Sequence, residues 1–186
     1  MVVTEGGEIR CRAVVVATDP VTASRLLPGL PRPDMHGLTT FYFGADRAPI
    51  DEPTLLLDGD RREIVANSVV MSNAAPEYAP AGKSLIAASV VGLSAPSGAS
   101  EAVVRVELAR MYGVPTDDWE LISVVPVPQA LPAAPVPQAA LRKPVDLGDG
   151  LFVAGDHRAS PSIQGALAGG WRTAGAVLAS LRAPVG

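Results

Sequence analysis

The sequence predicts an α/β fold built on a mixed sheet, and three observations carry that prediction. Residues 13 to 17, "AVVVA", are apolar without alternation, as in a strand covered on both faces in a parallel sheet. Between Leu38 and Gly92 several short β-rich runs follow one another with turn residues between them, which suits antiparallel or mixed pairing. Near the end an apolar run, "GLFVAG", feeds through a polar loop into a segment with helical apolar spacing.

In chain order, two short strands flank Gly6-Gly7 in "VVTEGGEIR" and precede the apolar run Ala13 to Ala17. Asp19 and Pro20 then provide the N-cap and first position of a short helix, closed by Pro28-Gly29. The strands that follow are "LTTFYF", "TLLLDGD", "REIVANSVVMS" and "SLIAASVVG", with Asp58-Gly59 as a hairpin turn. In "SEAVVRVELARMYG", Ser100 is placed to cap a helix whose Val104, Leu108, Met111 and Tyr112 share a face, and Gly113 to end it. "DDWELISVVPV" resumes as strand. Pro126, Pro128, Pro132, Pro135, Pro137 and Pro144 then remove too many donors for a central strand, so residues 126 to 144 are expected as extended edge or polyproline-like chain. In the closing helix Ile163, Ala166, Leu167, Ala174, Val177, Leu178 and Leu181 mark the face expected to be buried.

A chain of 186 residues suits one domain or two small lobes. Its 48% hydrophobic content, with 4% aromatic residues, 18 Gly and 18 Pro, describes a Val, Leu and Ala core joined by tight turns and excludes disorder. A net charge of −4, with 15 Lys and Arg scattered singly, offers no basic stripe for nucleic acid. Cys11 is the one cysteine and His36 and His157 the only histidines, so neither a disulfide nor a zinc spacing is available, no metal is expected, and a reducing, cytoplasmic setting fits. No apolar run reaches the roughly 18 residues of a membrane span, and the start lacks a signal-peptide pattern.

Several motif-like stretches carry no chemistry. Gly82-Lys83-Ser84 ends like a phosphate loop, but position 77 is Glu where that motif needs glycine. Ser94 in "GLSAP" begins like a hydrolase nucleophile elbow, with Pro96 in place of the closing glycine. Pro132-Ala133-Ala134-Pro135 has the spacing that SH3-type modules bind, yet nothing basic flanks it before Arg142, and a structural connector is the better reading. His157 and Arg158 read as solvated loop residues at least as well as ligand contacts.

The chemistry gathers in "GLFVAGDHRASPSIQGALAGG". Ligands of α/β sheets bind at the carboxyl ends of strands, and the first turn of a helix carries unpaired N–H groups and partial positive charge. Here Ser160 or Ser162 can cap, Pro161 suits the first turn, and Gly165, Ala166, Ala168, Gly169 and Gly170 allow close approach. Asp156 can accept hydrogen bonds from hydroxyls and would repel a phosphate, and Gly155 leaves room for a sugar-like chain. Equally, Asp156 could cap the loop while the glycines pack the helix on the sheet.

"GLFVAGDHRASPSIQGALAGGWRTAGAVLASL" resembles the C-terminal FAD-binding signature of the flavin-dependent amine oxidase and phytoene desaturase-like superfamily, in which a strand ending in Gly-Asp precedes a helix opening S-x-x-G-A. "GEIRCRAVVVATDPVTASRLLP" resembles the segment of that family whose strand ends in Ala-Thr and returns to the FAD domain, and "NAAPEYAPAGKSLIAASVVG" and "WELISVVPVPQALP" resemble its substrate-domain sheet. The resemblance implies residues 1–29 and 145–186 as an incomplete FAD-binding, Rossmann-like layer, and 30–144 as a mixed sheet of substrate-domain type with a helix at 100–112. It implies FAD as cofactor. Asp156 would lie at the ribityl or adjacent pyrophosphate region, Gly155 would give clearance, and the amides of Ile163 and Gln164, in the helix opening at Ser162, would lie near the pyrimidine carbonyl. Ala17 and Thr18 would lie on the cofactor side of the sheet. Gly169, Gly170 and Trp171 depart from the family's frequent Ser-Gly-Arg.

The G-x-G-x-x-G loop of complete members has no counterpart, since Gly148-Asp149-Gly150 supplies two glycines only and precedes a strand. The expectation is therefore the C-terminal half of an FAD-dependent oxidoreductase that passes a substrate hydride to flavin, with a second chain supplying that loop. The alternative is a shortened, non-catalytic homologue acting as an interaction or self-associating module. No residue stands out as a catalytic acid or base. The few aromatics tell slightly against an amine-binding aromatic cage and leave an apolar alkene or polyene open as substrate.

Overall fold

Gly6 and Gly7 turn the chain between β1 (Val2–Thr4) and β2 (Gly7–Ile9), an antiparallel pair in which Val2 faces Ile9, and Gly7 adopts a φ of 115° that disfavours any other residue. The structure, a computed structural model, describes residues 1–59, 64–92, 100–133 and 142–182. Contacts divide the chain into two units: Met1–Met35 with Leu131–Gly186, and the continuous stretch His36–Ala130.

In the first unit β3 (Val14–Val16) pairs in parallel with the strand Leu151–Val153, Val14 beside Leu151 and Val16 beside Val153. The parallel pairing agrees with the sequence, but burial on both faces does not: Val15 is 44% exposed and Ala17 is exposed. Apolar continuity is preserved in the sequence although, among the described residues, this sheet has two strands. Asp19 caps α1 (Pro20–Leu26) by accepting from the amides of Val21 and Thr22 at 3.0 Å each. Val21, Ala23, Leu27, Val145, Phe152, Val153 and Ala154 are buried in this unit.

The second unit is built on a sheet of order β5-β6-β7-β4-β8, comprising β4 (Met35–Ala45), β5 (Leu55–Leu57), β6 (Val65–Val70), β7 (Ser84–Val91) and β8 (Glu120–Pro132). β4 with β7, β6 with β7 and β5 with β6 are antiparallel. Alternation puts Thr39, Phe41, Phe43 and Ala45 of β4 inward, opposite Ser84, Ile86, Ala88 and Val90 of β7. They meet α3 (Glu101–Tyr112), where Val104 and Leu108 are fully buried. Trp119 closes the core between Phe43 and Tyr112, at ring distances of 6.1 and 5.9 Å. Glu107, on the buried side of α3, accepts from the amides of Ile64 at 3.0 Å and Val65 at 2.7 Å.

Both expected caps of α3 are present: the Ser100 hydroxyl accepts from the Val103 amide, and Gly113 takes the left-handed conformation with a φ of 69°. The prolines act as expected over the described part of their stretch, because β8 with Pro126, Pro128 and Pro132 is a sheet edge. Pro135 and Pro137 lie outside the described residues, as do Ala134 and the Ser94 segment. Two local readings change. Met71–Ala74 is a short helix, α2, instead of the end of a strand. Asp58-Gly59 is no two-residue turn: the Asp58 amide reaches the Ala66 carbonyl and Leu57 pairs with Asn67. Gly82 and Lys83 form a turn before β7, the Lys83 amide bonding to the Pro80 carbonyl at 3.0 Å.

Candidate functional site

Phe152 and Val153, fully buried, carry β9 (Leu151–Val153) to Ala154, whose amide bonds to the Val16 carbonyl at 2.9 Å. The carboxyl ends of β3 and β9 therefore stop side by side, with Ala17 and Thr18 after one and Gly155 and Asp156 after the other. Thr18 donates its hydroxyl to the Asp19 carbonyl, and both Ala17 and Thr18 are exposed. Beyond Gly155, residues Asp156–Arg158 form a 3-10 turn, which the Ala159 amide closes on the Asp156 carbonyl.

The loop then folds against α4 (Ile163–Arg182). A Cβ on Gly165 would fall 1.9 Å from the Ser160 carbonyl oxygen, and one on Gly169 would fall 3.1 Å from that of Gly155. Gly165, Gly169 and Thr173, at four-residue spacing, are the buried residues of α4, and Thr173 donates to the Gly169 carbonyl. This overturns the expected apolar face: Ile163, Leu167 and Leu178 are 78%, 70% and 53% exposed. Close backbone approach, which only small residues permit, sets the orientation of this helix instead of side-chain hydrophobicity. It also means that Gly165 and Gly169 admit the chain's own carbonyls and no outside group.

Ser162 provides the cap, its hydroxyl accepting from the Gly165 amide at 3.0 Å while pairing with Ser160. Pro161 lies before the helix and not in its first turn. Exposed Ile163 and Gln164 contribute first-turn amides that have no partner inside the helix, and no described hydrogen bond uses them. The Asp156 carboxylate, a quarter exposed, likewise accepts no hydrogen bond from a described residue.

His157 and Arg158 differ most from expectation, since both are buried. The His157 ring occupies the space beside Gly155: a Cβ there, where φ is 148°, would lie 2.6 Å from ring atoms Cε1 and Nδ1. The clearance attributed to Gly155 thus belongs to the chain itself. His157 Nδ1 is 4.0 Å from Asp156 Oδ1, and neither ring nitrogen has a partner among the described residues. Burial pushes the imidazole below its ordinary value, the Arg158 guanidinium adds to that, and the Asp156 carboxylate opposes it. Arg158 donates to the Pro144 carbonyl through Nε and Nη2, and its own carbonyl accepts from Lys143 and Arg172. A histidine two residues after Gly155 is the sequence signal for this packing.

These residues fit the cofactor that the resemblance implies in two respects: an uncommitted carboxylate at the strand end and uncommitted amides at the tip of α4 lie on one short loop. Among the described residues no group of three or more His, Cys, Asp or Glu side chains could hold a metal, and no helix is long and apolar enough to cross a membrane.

The family model described as flavin containing amine oxidoreductase matches residues 1–178. No curated protein matches. An oxidoreductase from Methanosarcina mazei shares 16% identity at a TM-score of 0.65, over 88% of this chain and 42% of its own. Wild-type putrescine oxidase bound to putrescine shares 20% at 0.59, over 90% and 42%. Reduced UDP-galactopyranose mutase shares 11% at 0.60, over 82% and 37%. At these identities the likeness is one of fold, and the chain spans less than half the length of each.

Proposed function

Because this chain belongs to the flavin containing amine oxidoreductase family, whose cofactor is FAD, we propose that it forms the C-terminal part of an FAD-dependent oxidoreductase. In this reading Met1–Met35 with Leu131–Gly186 is an incomplete Rossmann-like cofactor layer, and His36–Ala130 is the substrate-domain sheet. Bound flavin would supply the redox chemistry by accepting a hydride from substrate. The protein's task is to hold and orient it. Asp156 would hold the ribityl or adjacent pyrophosphate region, the amides of Ile163 and Gln164 in the helix opening at Ser162 would donate toward the pyrimidine carbonyl, and Ala17 and Thr18 would line the neighbouring strand end.

The observation that supports the reading is that the Asp156 carboxylate, which accepts no hydrogen bond among the described residues, and the α4 amides of Ile163 and Gln164 lie on one short loop. Partial positive charge at a helix tip stabilises negative charge placed against it. A second chain bearing the G-x-G-x-x-G loop would complete the dinucleotide site, and the exposed stripe Ile163, Leu167 and Leu178 supplies apolar surface for it to cover.

Titration of the purified chain with FAD, read by flavin absorbance and fluorescence, tests this. Binding by the chain alone, or only with a loop-bearing partner chain, supports the reading, and Asp156→Ala then weakens it about tenfold, the loss of one hydrogen bond to a charged group. Unchanged affinity in that variant removes Asp156 from the site. Absence of flavin binding under both conditions favours the non-catalytic interaction module.

A further inference from the structure

The first unit has an open surface depression of about 510 Å3, lined by Arg142, Ala159, Ser160, Ala168, Gly169, Trp171 and Arg172. Its wall on α4 begins a turn beyond the tip residues Ile163 and Gln164. The methyl groups of Ala159 and Ala168 and the indole of Trp171 make an apolar lining. Trp171 stands where the family signature often has Arg, and at 86% exposure it offers its ring freely.

The charge at this depression is one-sided. Among the described residues Arg142 and Arg172 line it and no carboxylate does, although the chain carries a net charge of −4. Arg172 gives Nη2 to the Arg158 carbonyl at 2.9 Å, but its Nε is buried with no acceptor among the described residues. A buried donor without an acceptor is costly and calls for a partner. Like charges also crowd here: after burial, the Arg172 charge is the second cause that lowers the Arg158 guanidinium from its ordinary value. An anion against the outer guanidinium nitrogens of Arg172 would offset this crowding of like charge.

We propose that this depression binds an amphipathic anion, an aryl or alkyl carboxylate, with its apolar body against Ala168 and Trp171 and its carboxylate between Arg142 and Arg172. Guanidinium and carboxylate match in geometry as well as charge, and the indole face adds stacking for an aromatic body. The proposal uses none of the residues assigned to flavin, and it applies to the chain with the outward α4 face uncovered, since Trp171 lies four residues from Leu167 on that face.

Calorimetric titration of the full chain with benzoate and with benzamide, its neutral isostere, tests it. Benzoate binds at least tenfold more tightly than benzamide, Arg172→Gln removes most of that preference, and Trp171→Ala weakens both ligands. Because Arg172 also holds the Arg158 carbonyl, the exposed Arg142→Gln provides a variant with little risk to folding, and it reduces benzoate affinity severalfold. Arg25→Gln, an arginine that does not line the depression, leaves it unchanged. Equal affinity for benzoate and benzamide, no binding of either, or benzoate affinity untouched by Arg142→Gln would overturn the proposal. Displacement of benzoate by FAD would overturn it as a separate site.

Discussion

At single positions, glycines of the same helix have opposite roles. Gly165 sits where a Cβ would meet the Ser160 carbonyl at 1.9 Å, whereas Gly170 has nothing within 4 Å. Gly165→Ala is expected to cost about 1–3 kcal/mol or more through overpacking against backbone, while Gly170→Ala gains up to about 1 kcal/mol from helix propensity; urea denaturation separates the two. Glu107 carries two amide hydrogen bonds in a buried setting, and Glu107→Ala should cost about 2–4 kcal/mol by the same measurement. His157 gives stability a pH dependence. Its folded midpoint is depressed by burial and then by Arg158, so the unfolded chain takes up a proton first as pH falls. Stability from this group is full above about pH 6.5 and declines toward the lower folded midpoint, with a slope of at most about 1.4 kcal/mol per pH unit. In His157→Phe that part of the pH profile should vanish, and a profile parallel to the wild type would refute the assignment.

Among the elements, legibility followed the range of the forces involved. α3 was readable at both ends because its caps are local: Ser100 meets an amide three residues on, and Gly113 supplies the left-handed residue that closes the helix. Gly113→Ala should destabilise the protein by about 1 kcal/mol or slightly more in thermal melts. β8 was readable as an edge from its prolines. α4 was not readable in orientation, because its buried stripe of Gly165, Gly169 and Thr173 is selected by nearness of backbone, a property invisible to hydrophobic periodicity. The candidate site divides the same way. Asp156 and the helix opening at Ser162 stand out in the chain as a pattern, whereas burial of Arg158 depends on the Pro144 carbonyl fourteen residues earlier.

For the whole molecule, the outward stripe of α4 is expected to affect association more than stability. Leu167 and Leu178 are mostly exposed, so the double variant Leu167→Glu and Leu178→Glu should shift folding free energy by less than about 1 kcal/mol. The same variant should lower any self-association seen by sedimentation velocity, and unchanged association would place the contact elsewhere. The arrangement of units also has a consequence during synthesis. His36–Ala130 is continuous, but the strand that β3 pairs with among the described residues begins only at residue 151, where Leu151 meets Val14. Closing so long a loop is slow compared with local pairing. On the ribosome the inserted unit can therefore mature first, while "AVVVA" waits for the strand it pairs with, which is still being polymerised. A chaperone that captures short aliphatic stretches on nascent chains would find its target there, and would lose it when the late strand emerges.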